Sequence, residues 1–202
     1  MTRTPATKLI LASASPRRLM LLEQIGIAPD IVVPAEIDEN QERGEKPEDM
    51  ARRLAEAKAH TITADHPRAI VLAADTVVAC GRTAMPKAET EAEAEACLKR
   101  LSGRAHLVIG GVAVIDAAGT CRYRASVTRV KFKRLSKPEI TAYLACGEWH
   151  GKAGGYAIQG RAARFVSAIN GSYSGVVGLP LFETANLLAA AGYPVDASLA
   201  RS

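Results

Sequence analysis

An apolar run with one carboxylate near its middle places the strongest constraint on the fold of this chain. Residues 69–79 read AIVLAADTVVA, and Asp75 is the only charged residue among them. The length and composition of this run predict a buried strand. A carboxylate inside a buried strand is costly unless it is paired, hydrogen-bonded or bound to a metal. Asp75 is therefore either a structural aspartate that accepts backbone N–H bonds, or a metal ligand or general base, with Thr76 facing the other side of the strand.

The segments around this strand mix helices and strands without strict alternation. Further strands are predicted at 8–12, 31–34, 106–116, 120–132 and 164–169, the third and fourth of these forming a β-hairpin. Helices are predicted at 16–25, 47–64, 90–101, 136–145 and 180–191, with proline or a capping box at their starts. Segments 81–88 and 147–160 are predicted as loops. This order predicts an α/β fold with a mixed sheet flanked by helices, in one domain over 1–202 with a lobe boundary near 133–138.

The charge of the chain narrows the classes of partner. Lys and Arg number 26 against 21 Asp and Glu, so the net charge is +5, which suits an anionic partner such as nucleic acid, a nucleotide or a membrane surface. The basic residues are scattered and aromatic residues make up only 4% of the chain. A nucleic-acid surface more often combines a basic stripe with stacking aromatic residues. The composition therefore favours a phosphorylated small molecule.

Cysteines and apolar segments indicate the compartment. The four cysteines are isolated, with no CxxC pair, which is typical of reduced thiols in a core rather than a zinc or redox site. The first residues, MTRTPATKLILASASPRR, contain too short an apolar stretch for a secretory signal. No run approaches the roughly 18 apolar residues of a membrane span. We expect a cytoplasmic protein without a membrane partner.

The first candidate for chemistry is the loop SASPRR, which follows the first strand and opens a helix. Free backbone N–H groups and the positive end of the helix dipole point into such a loop. Arg17 and Arg18 add bidentate donors suited to phosphate, and an anion would offset the unfavourable position of two cations at a helix N-terminus. The alternative is that both arginines are solvated and Ser15 is only a helix cap. The loop is not a Walker motif, because GxxxxGK[ST] is absent.

Acidic residues that follow the second strand offer hard oxygen ligands. Glu36, Asp38 and Glu39 suit Mg²⁺ or Mn²⁺. Glu36 and Asp38 are two apart, so in an extended chain they share a face. The alternative is a solvated acidic loop.

Two lysines and a glutamine complete the candidates. Lys58 continues the helical row Met50, Leu54, Lys58, Ile62, so it either snorkels to solvent or meets a buried anion. Lys87, in a loop after the Asp75 strand, carries no signal by itself. Gln159 lies near the end of the glycine-rich GKAGGYAIQG, where it offers a donor and an acceptor for reading a base edge. The alternative for that segment is a glycine-rich hairpin.

Taken together, these segments resemble the Maf family of nucleoside triphosphate pyrophosphatases. The resemblance runs in order through LILASASPRR, the acidic segment at 36–38, the Lys58 helix, AADTVV, LSGRAHLVIGGV, KAGGYAIQG and VVGLPL. It implies two lobes around a cleft, similar to the inosine triphosphate pyrophosphatase fold. It also implies cleavage of a nucleoside triphosphate into the monophosphate and pyrophosphate with a divalent metal, Mg²⁺ or Mn²⁺.

The resemblance also assigns roles to individual residues. Asp75 matches the family's catalytic proton acceptor. Glu36, Lys58 and Lys87 match catalytic and phosphate or metal positions, and Glu36 with Asp75 would hold the metal. The substrate-binding positions would be Ser13, Ser15, Arg17, Arg18, Thr76 and Gln159, of which Arg17, Thr76 and Gln159 match positions linked to base selection.

The ending AIQG resembles the dTTP/UTP branch of the family. Three residues depart from its commoner pattern: Gly151 where an acidic residue is frequent, Pro86 where glycine is frequent, and Gly175 where asparagine is frequent. The alternatives are modified pyrimidine triphosphates, 7-methyl-GTP or a broad nucleotide range, and a nucleotide-binding regulator of septum formation. A nucleic-acid binder ranks below these. Some family members are dimers, so the resemblance also admits a homodimer.

Overall fold

The computed structural model describes residues 7–196 and is built on a seven-stranded mixed sheet. In chain order the strands are β1 (Leu9–Ala12), β2 (Ile31–Val33), β3 (Ile70–Cys80), β4 (Thr83–Met85), β5 (Lys87–Ala88), β6 (Ala105–Ile115), β7 (Cys121–Phe132), β8 (Lys152–Ala153) and β9 (Val166–Asn170). The main sheet has the order β2-β1-β3-β6-β7-β9, with β4 paired to β3. β1 is parallel to β2 and β3, and the other pairs are antiparallel. The expected mixed α/β fold is confirmed.

Helices flank this sheet, and the five predicted from the sequence begin within one residue of their predicted starts. They are α1 (Pro16–Gln24), α2 (Pro47–Asp65), α3 (Glu91–Leu101), α4 (Lys137–Leu144), α5 (Tyr173–Val177), α6 (Leu181–Ala190) and a 3₁₀ helix at Arg161–Phe165. At the start of α3, Thr90 Oγ1 accepts from the Glu93 N–H and the Glu93 carboxylate accepts from the Thr90 N–H, so the predicted capping box is present. None of the helices within residues 7–196 combines the length and the hydropathy of a membrane-spanning segment. The ends of the predicted 1–202 domain, residues 1–6 and 197–202, lie outside the described residues.

Three local predictions were wrong. The segment 81–88, predicted as a loop, contains β4 and β5, and the predicted loop 147–160 contains β8, which pairs with β5. The strand predicted from 164 begins only at Val166, because residues 161–165 form the 3₁₀ helix. The short helix α5 was not predicted. Strands of two or three residues are too short to carry a periodic pattern, and their pairing depends on residues far away in the chain.

Two adjacent glycines of β6 let helices approach both faces of the sheet. Gly111 faces α2: a Cβ added there would lie 2.6 Å from the Ala51 carbonyl oxygen. Gly110 faces the other side, where its Cβ would lie 3.2 Å from Pro180 Cδ, just before α6. Alternate residues of a strand face opposite sides. The sheet is therefore a central layer with α2 on one face and α5 and α6 on the other.

A gap beside β3 provides the place for a site. β1 pairs with β3 as far as Ala73, and β4 pairs with it only from Val78. Between these two partners, among the described residues, positions 74–77 have no neighbouring strand on this edge of β3. Asp75 and Thr76 lie in that gap, next to the carboxyl end of β1.

Candidate active site

A cavity of about 360 Å³ opens at this gap. Its walls are the β1–α1 loop, the segment after β2, β3, the glycine-rich segment around β8, and residues 176–178. It brings together every predicted site residue except Glu36: Ser13, Ser15, Arg17, Arg18, Lys58, Asp75, Thr76, Lys87 and Gln159. Residues that are far apart in the chain therefore meet around one open cavity.

A buried ion pair joins α2 to β3 at the cavity. Lys58 Nζ donates to Asp75 Oδ1 at 2.7 Å. Lys58 is only 6% exposed and Asp75 only 5% exposed. Of the two alternatives for the lysine in the apolar row of α2, the structure shows the buried anion rather than snorkelling. Removing Lys58 would leave the buried Asp75 carboxylate without its ion-pair partner.

Glu39 adds a second carboxylate to this pair. Lys58 Nζ lies 2.6 Å from Glu39 Oε1, and Lys87 Nζ donates to Glu39 Oε2. Burial by itself would raise the pKa of Glu39, but the hydrogen bonds and charges of Lys58 and Lys87 lower that pKa to about 2. Two carboxylates and two ammonium groups thus form one charged group, defined here as the Asp75–Lys58–Glu39–Lys87 cluster.

Glu36 lies elsewhere, although the sequence analysis gave it a catalytic and metal-binding role. Exposure alternates along the extended segment after β2: Glu36 and Asp38 are exposed, whereas Glu39 is half-buried. Glu36 and Asp38 do share a face, as predicted, but that face meets solvent. The signal that identifies Glu39 is the two-residue period of exposure. Ile31 and Val33 are the less exposed residues of β2, and every second residue after them is also less exposed, as far as Glu39.

Arginine side chains form another part of the cavity wall. Arg18 donates from Nη1 to Ser13 Oγ at 3.0 Å and from Nε to the Gly178 carbonyl oxygen at 2.9 Å. Arg17 Nε is buried and has no hydrogen-bond partner among the described residues. Burial lowers the pKa of both guanidinium groups. An anion in the cavity would supply the missing partner of Arg17 and offset its loss of hydration.

The hydroxyl group of Ser15 is not committed to capping. Ser15 precedes α1 in an extended conformation, but its side chain makes no capping hydrogen bond. Its N–H donates to Ser13 Oγ at 3.2 Å, which fixes the turn. The interpretation of Ser15 as only a helix cap therefore has no support in the structure.

Gln159 and Thr76 lie on the remaining walls. The side chain of Gln159 is exposed, and Thr76 Oγ1 donates weakly to the Gly178 carbonyl oxygen at 3.4 Å. Two hydrogen bonds with buried side chains hold the segment before Gln159 in place. Tyr156 shares a 2.8 Å hydrogen bond with His106 Nε2, and the Tyr143 hydroxyl accepts from the Ala157 N–H at 3.0 Å. Gln159 is thus an exposed side chain at the end of an anchored segment.

Lys152 is a further cation in the cavity, to which the sequence analysis gave no role. Its pKa is lowered by burial and by the nearby charge of Arg17. Its ammonium group donates to the His150 carbonyl oxygen at 2.8 Å. Among the described residues, neither Arg17 nor Lys152 forms an ion pair, whereas Lys58 and Lys87 are already paired with carboxylates. An anionic ligand is therefore most favoured near Arg17 and Lys152.

The carboxylates of the cluster fit a hard divalent cation. Asp75 and Glu39 both contact the same lysine nitrogen, so these two carboxylates are the candidates to hold one small ion. Within residues 7–196, no group of three or more His, Cys, Asp or Glu side chains could hold a metal. Mg²⁺ commonly binds one or two carboxylates and takes its other oxygens from water and substrate phosphates. The donor set therefore suits Mg²⁺ or Mn²⁺ bound together with a phosphate ligand.

Comparison with known proteins gives close relatives. A family model described as Maf-like protein matches residues 8–191. The dTTP/UTP pyrophosphatase of Paramagnetospirillum magneticum is 60% identical over 185 residues, covering 92% of this chain and 97% of that protein. The dTTP/UTP pyrophosphatase of Maricaulis maris is 57% identical over 198 residues, covering 96% of this chain and 93% of that protein.

Similarity to a solved structure is weaker. The nucleoside-triphosphatase / dITP/XTP pyrophosphatase from Mycobacterium abscessus superimposes with a TM-score of 0.42 at 20% identity, covering 64% of this chain and 74% of that chain. A likeness at this level supports no conclusion about the site.

Proposed function

Because the chain belongs to the Maf family, we propose that it hydrolyses dTTP and UTP to the nucleoside monophosphate and pyrophosphate. The observation that carries the proposal is the Asp75–Lys58–Glu39–Lys87 cluster, which lines one cavity together with Arg17, Arg18 and Lys152. Such a site combines a buried carboxylate base with several cations for phosphate. The names of the relatives at 60% and 57% identity support the choice of substrate.

The cations would bind the triphosphate. Among the described residues, Arg17 Nε has no hydrogen-bond partner and Lys152 forms no ion pair, so the phosphates would supply a partner for each. Arg18, already fixed by Ser13 and Gly178, would present its remaining N–H groups in a defined orientation. Fixed donors that match the charge developing on pyrophosphate stabilise the transition state without reorganisation.

Asp75 would act as the general base. A water molecule attacks the α-phosphorus, its oxygen forms the new P–O bond, and its proton passes to the Asp75 carboxylate. The bond from the α-phosphorus to the bridging oxygen breaks, and pyrophosphate leaves with that oxygen. Lys58 occupies Asp75 Oδ1, which leaves Oδ2 to accept the proton. The pairing also fixes the orientation of the carboxylate.

Asp75 and Glu39 would hold Mg²⁺ or Mn²⁺, whose chemistry when bound is to neutralise phosphate charge and to lower the pKa of a water molecule. Lys58 and Lys87 contact the same carboxylates in the structure. Both ammonium groups are therefore close enough to this position to interact with the phosphates as well.

Base selection would rest on Gln159 and Thr76. Uracil and thymine present O2, N3–H and O4 on one edge, and a glutamine amide can pair with such an edge through its donor and its acceptor. The same edge is retained in many modified pyrimidines, so we include their triphosphates as substrates. The hydrogen bonds of Tyr156 and Ala157 would keep the glutamine in place.

The test is release of pyrophosphate and of phosphate, assayed in parallel, from a panel of nucleoside triphosphates with Mg²⁺ or Mn²⁺. We expect pyrophosphate from dTTP and UTP and little from purine nucleotides. Asp75→Asn should bind nucleotide but lose roughly 100-fold or more in turnover, which is the usual contribution of a general base. If no nucleotide yields pyrophosphate with either metal, the proposal fails and a nucleotide-binding regulator becomes the better interpretation.

A further inference from the structure

Arg53 contacts the segment that carries Glu39 from a position outside the cavity. Its Nη2 donates to the Asn40 carbonyl oxygen at 2.9 Å. Its Nε and Nη2 donate to the two carboxylate oxygens of Glu45 at 2.7 and 2.9 Å. Glu42 adds an ion pair at 3.3 Å. One guanidinium group thus binds three residues of the segment that follows β2.

This segment has few other attachments to the protein. Its remaining hydrogen bonds are local, such as Gln41 Nε2 to the Glu45 carbonyl oxygen and the Glu42 N–H to the Glu45 carboxylate. Among the hydrogen bonds and ion pairs of the described residues, those that tie 38–45 to other elements come from Lys58, Lys87 and Arg53 alone. The two lysines hold the Glu39 side chain, whereas Arg53 holds the backbone beside it.

The geometry of Arg53 suits this task. Arg53 and Lys58 are five residues apart on α2, about 7 Å along the helix axis, so the helix contacts the segment at two separate points. The planar guanidinium group binds the Glu45 carboxylate with two nitrogens and still has a hydrogen for the Asn40 carbonyl oxygen. The ammonium group of lysine lacks this fork.

We infer that Arg53 is a positioning residue: by binding Asn40 and Glu45 it holds the segment against α2 and so keeps the Glu39 carboxylate within reach of Lys58 and Lys87. The catalytic consequence rests on the proposed function, but the structural consequence does not. Arg53 does not line the cavity described above. It also does not line a second cavity that shares residues with the first, so it would not touch substrate.

The kinetic test compares Arg53→Gln with Arg52→Gln. Arg52 is the adjacent residue on α2. Its contacts, Glu56 on the same helix and the Tyr123 ring of β7, lie outside the segment 38–45, so it is a matched control. We expect Arg53→Gln to lower kcat for dTTP about 10-fold or more with KM changed less than about 3-fold, since the arginines that face the phosphates are untouched. Arg52→Gln should keep kcat within about 2-fold. Arg53→Lys should rescue little, because it cannot form the fork.

A double-mutant cycle separates positioning from general stabilisation. If Arg53 acts through Glu39, adding Arg53→Gln to Glu39→Gln should lower kcat by no more than about 2-fold further. A further loss as large as that of the single variant would overturn the inference. Glu45→Gln, which weakens the same fork from the other side, should reproduce part of the effect if Arg53→Gln does not fold.

Hydrogen exchange tests the inference without reference to activity. The amides of residues 38–45 should exchange faster in Arg53→Gln than in the unaltered chain, and at unchanged rates in Arg52→Gln. Equal protection in all three proteins would overturn the positioning role. Absence of pyrophosphate release from the unaltered chain would instead refute the proposed function and leave this structural readout to decide on Arg53.

Discussion

Gly111 pairs with Asp75 across the β3–β6 ladder, on the sheet face that α2 covers. The absence of a side chain at Gly111 brings the α2 backbone very close, since a Cβ there would lie 2.6 Å from the Ala51 carbonyl oxygen. Ala51 lies about two helical turns before Lys58 and therefore on the same side of α2. The close contact between α2 and Gly111 therefore sets the distance between Lys58 Nζ and Asp75 Oδ1.

Gly111→Ala should therefore impair both stability and turnover. The new methyl group must push α2 outward, and overpacking of this kind costs about 1–3 kcal/mol. The Lys58–Asp75 contact should lengthen, so we expect kcat to fall about 10-fold or more. The control is Gly110→Ala, whose Cβ would meet Pro180 at 3.2 Å on the opposite face. If Gly111→Ala keeps the kcat of the unaltered protein, the contact of α2 with Gly111 does not set the Lys58–Asp75 distance.

The choice between two nearby glutamates gives a second prediction. Glu39→Gln should lower pyrophosphate release by about 100-fold, because it removes the charge that Lys58 and Lys87 share. Glu36→Gln should stay within about 2-fold, because Glu36 is exposed and outside the cavity. Kinetics of the two variants at saturating Mg²⁺ make the comparison. Equal losses of pyrophosphate release in the two variants would show that Glu36 belongs to the site. Exposure would then not distinguish Glu39 from Glu36.

His106 gives a pH dependence of stability. It is 2% exposed, and burial lowers its pKa from 6.5 to about 4. The unfolded chain thus binds a proton between these values while the folded chain does not, so stability is lost as the pH falls from about 6.5 to about 4. The shift corresponds to roughly 3 kcal/mol.

Urea unfolding at a series of pH values measures this effect. His106→Gln should flatten the free energy of unfolding between pH 6.5 and 4 relative to the unaltered protein. The paired carboxylate of Glu39, with a pKa of about 2, contributes a separate loss at lower pH. An unchanged slope in the variant would show that another group causes the dependence.

Base selection gives a fourth prediction. Gln159→Glu replaces the amide donor with an acceptor, so the side chain of the variant should no longer pair with the edge of a pyrimidine base. We expect the ratio of kcat/KM for dTTP to that for purine nucleotides to fall by about 10-fold or more, while kcat on a poor substrate changes little. The same panel of nucleotides measures both quantities. An unchanged ratio would assign Gln159 a structural role.

Local signals in the sequence were sufficient for much of this fold. The strand-loop-helix at Ser13–Arg18, the apolar row that contains Lys58 and the capping box at Thr90 depend on neighbours within a few residues, and the structure contains each of them. The charge of Asp75 inside an apolar strand predicted that the carboxylate has a partner, but it did not predict that the partner is Lys58.

Other features depended on distant contacts. Glu39 could be identified only by carrying the two-residue period of β2 beyond its last strand residue. β5 and β8 exist because Lys87–Ala88 pairs with Lys152–Ala153, about 65 residues later. Arg53 showed no signal at all in the sequence, because an arginine on a helix is usually solvated and its partners lie in a segment without regular structure.

The most direct measurement is hydrolysis of dTTP in water labelled with oxygen-18, followed by mass analysis of both products. Attack on the α-phosphorus, with Asp75 taking the proton, predicts the label in dTMP and none in pyrophosphate. Label in pyrophosphate would show that water attacks the β-phosphorus, and release of phosphate instead would show cleavage of a different anhydride bond. The first result would contradict attack on the α-phosphorus, and the second would contradict the assignment of this cavity to α–β cleavage.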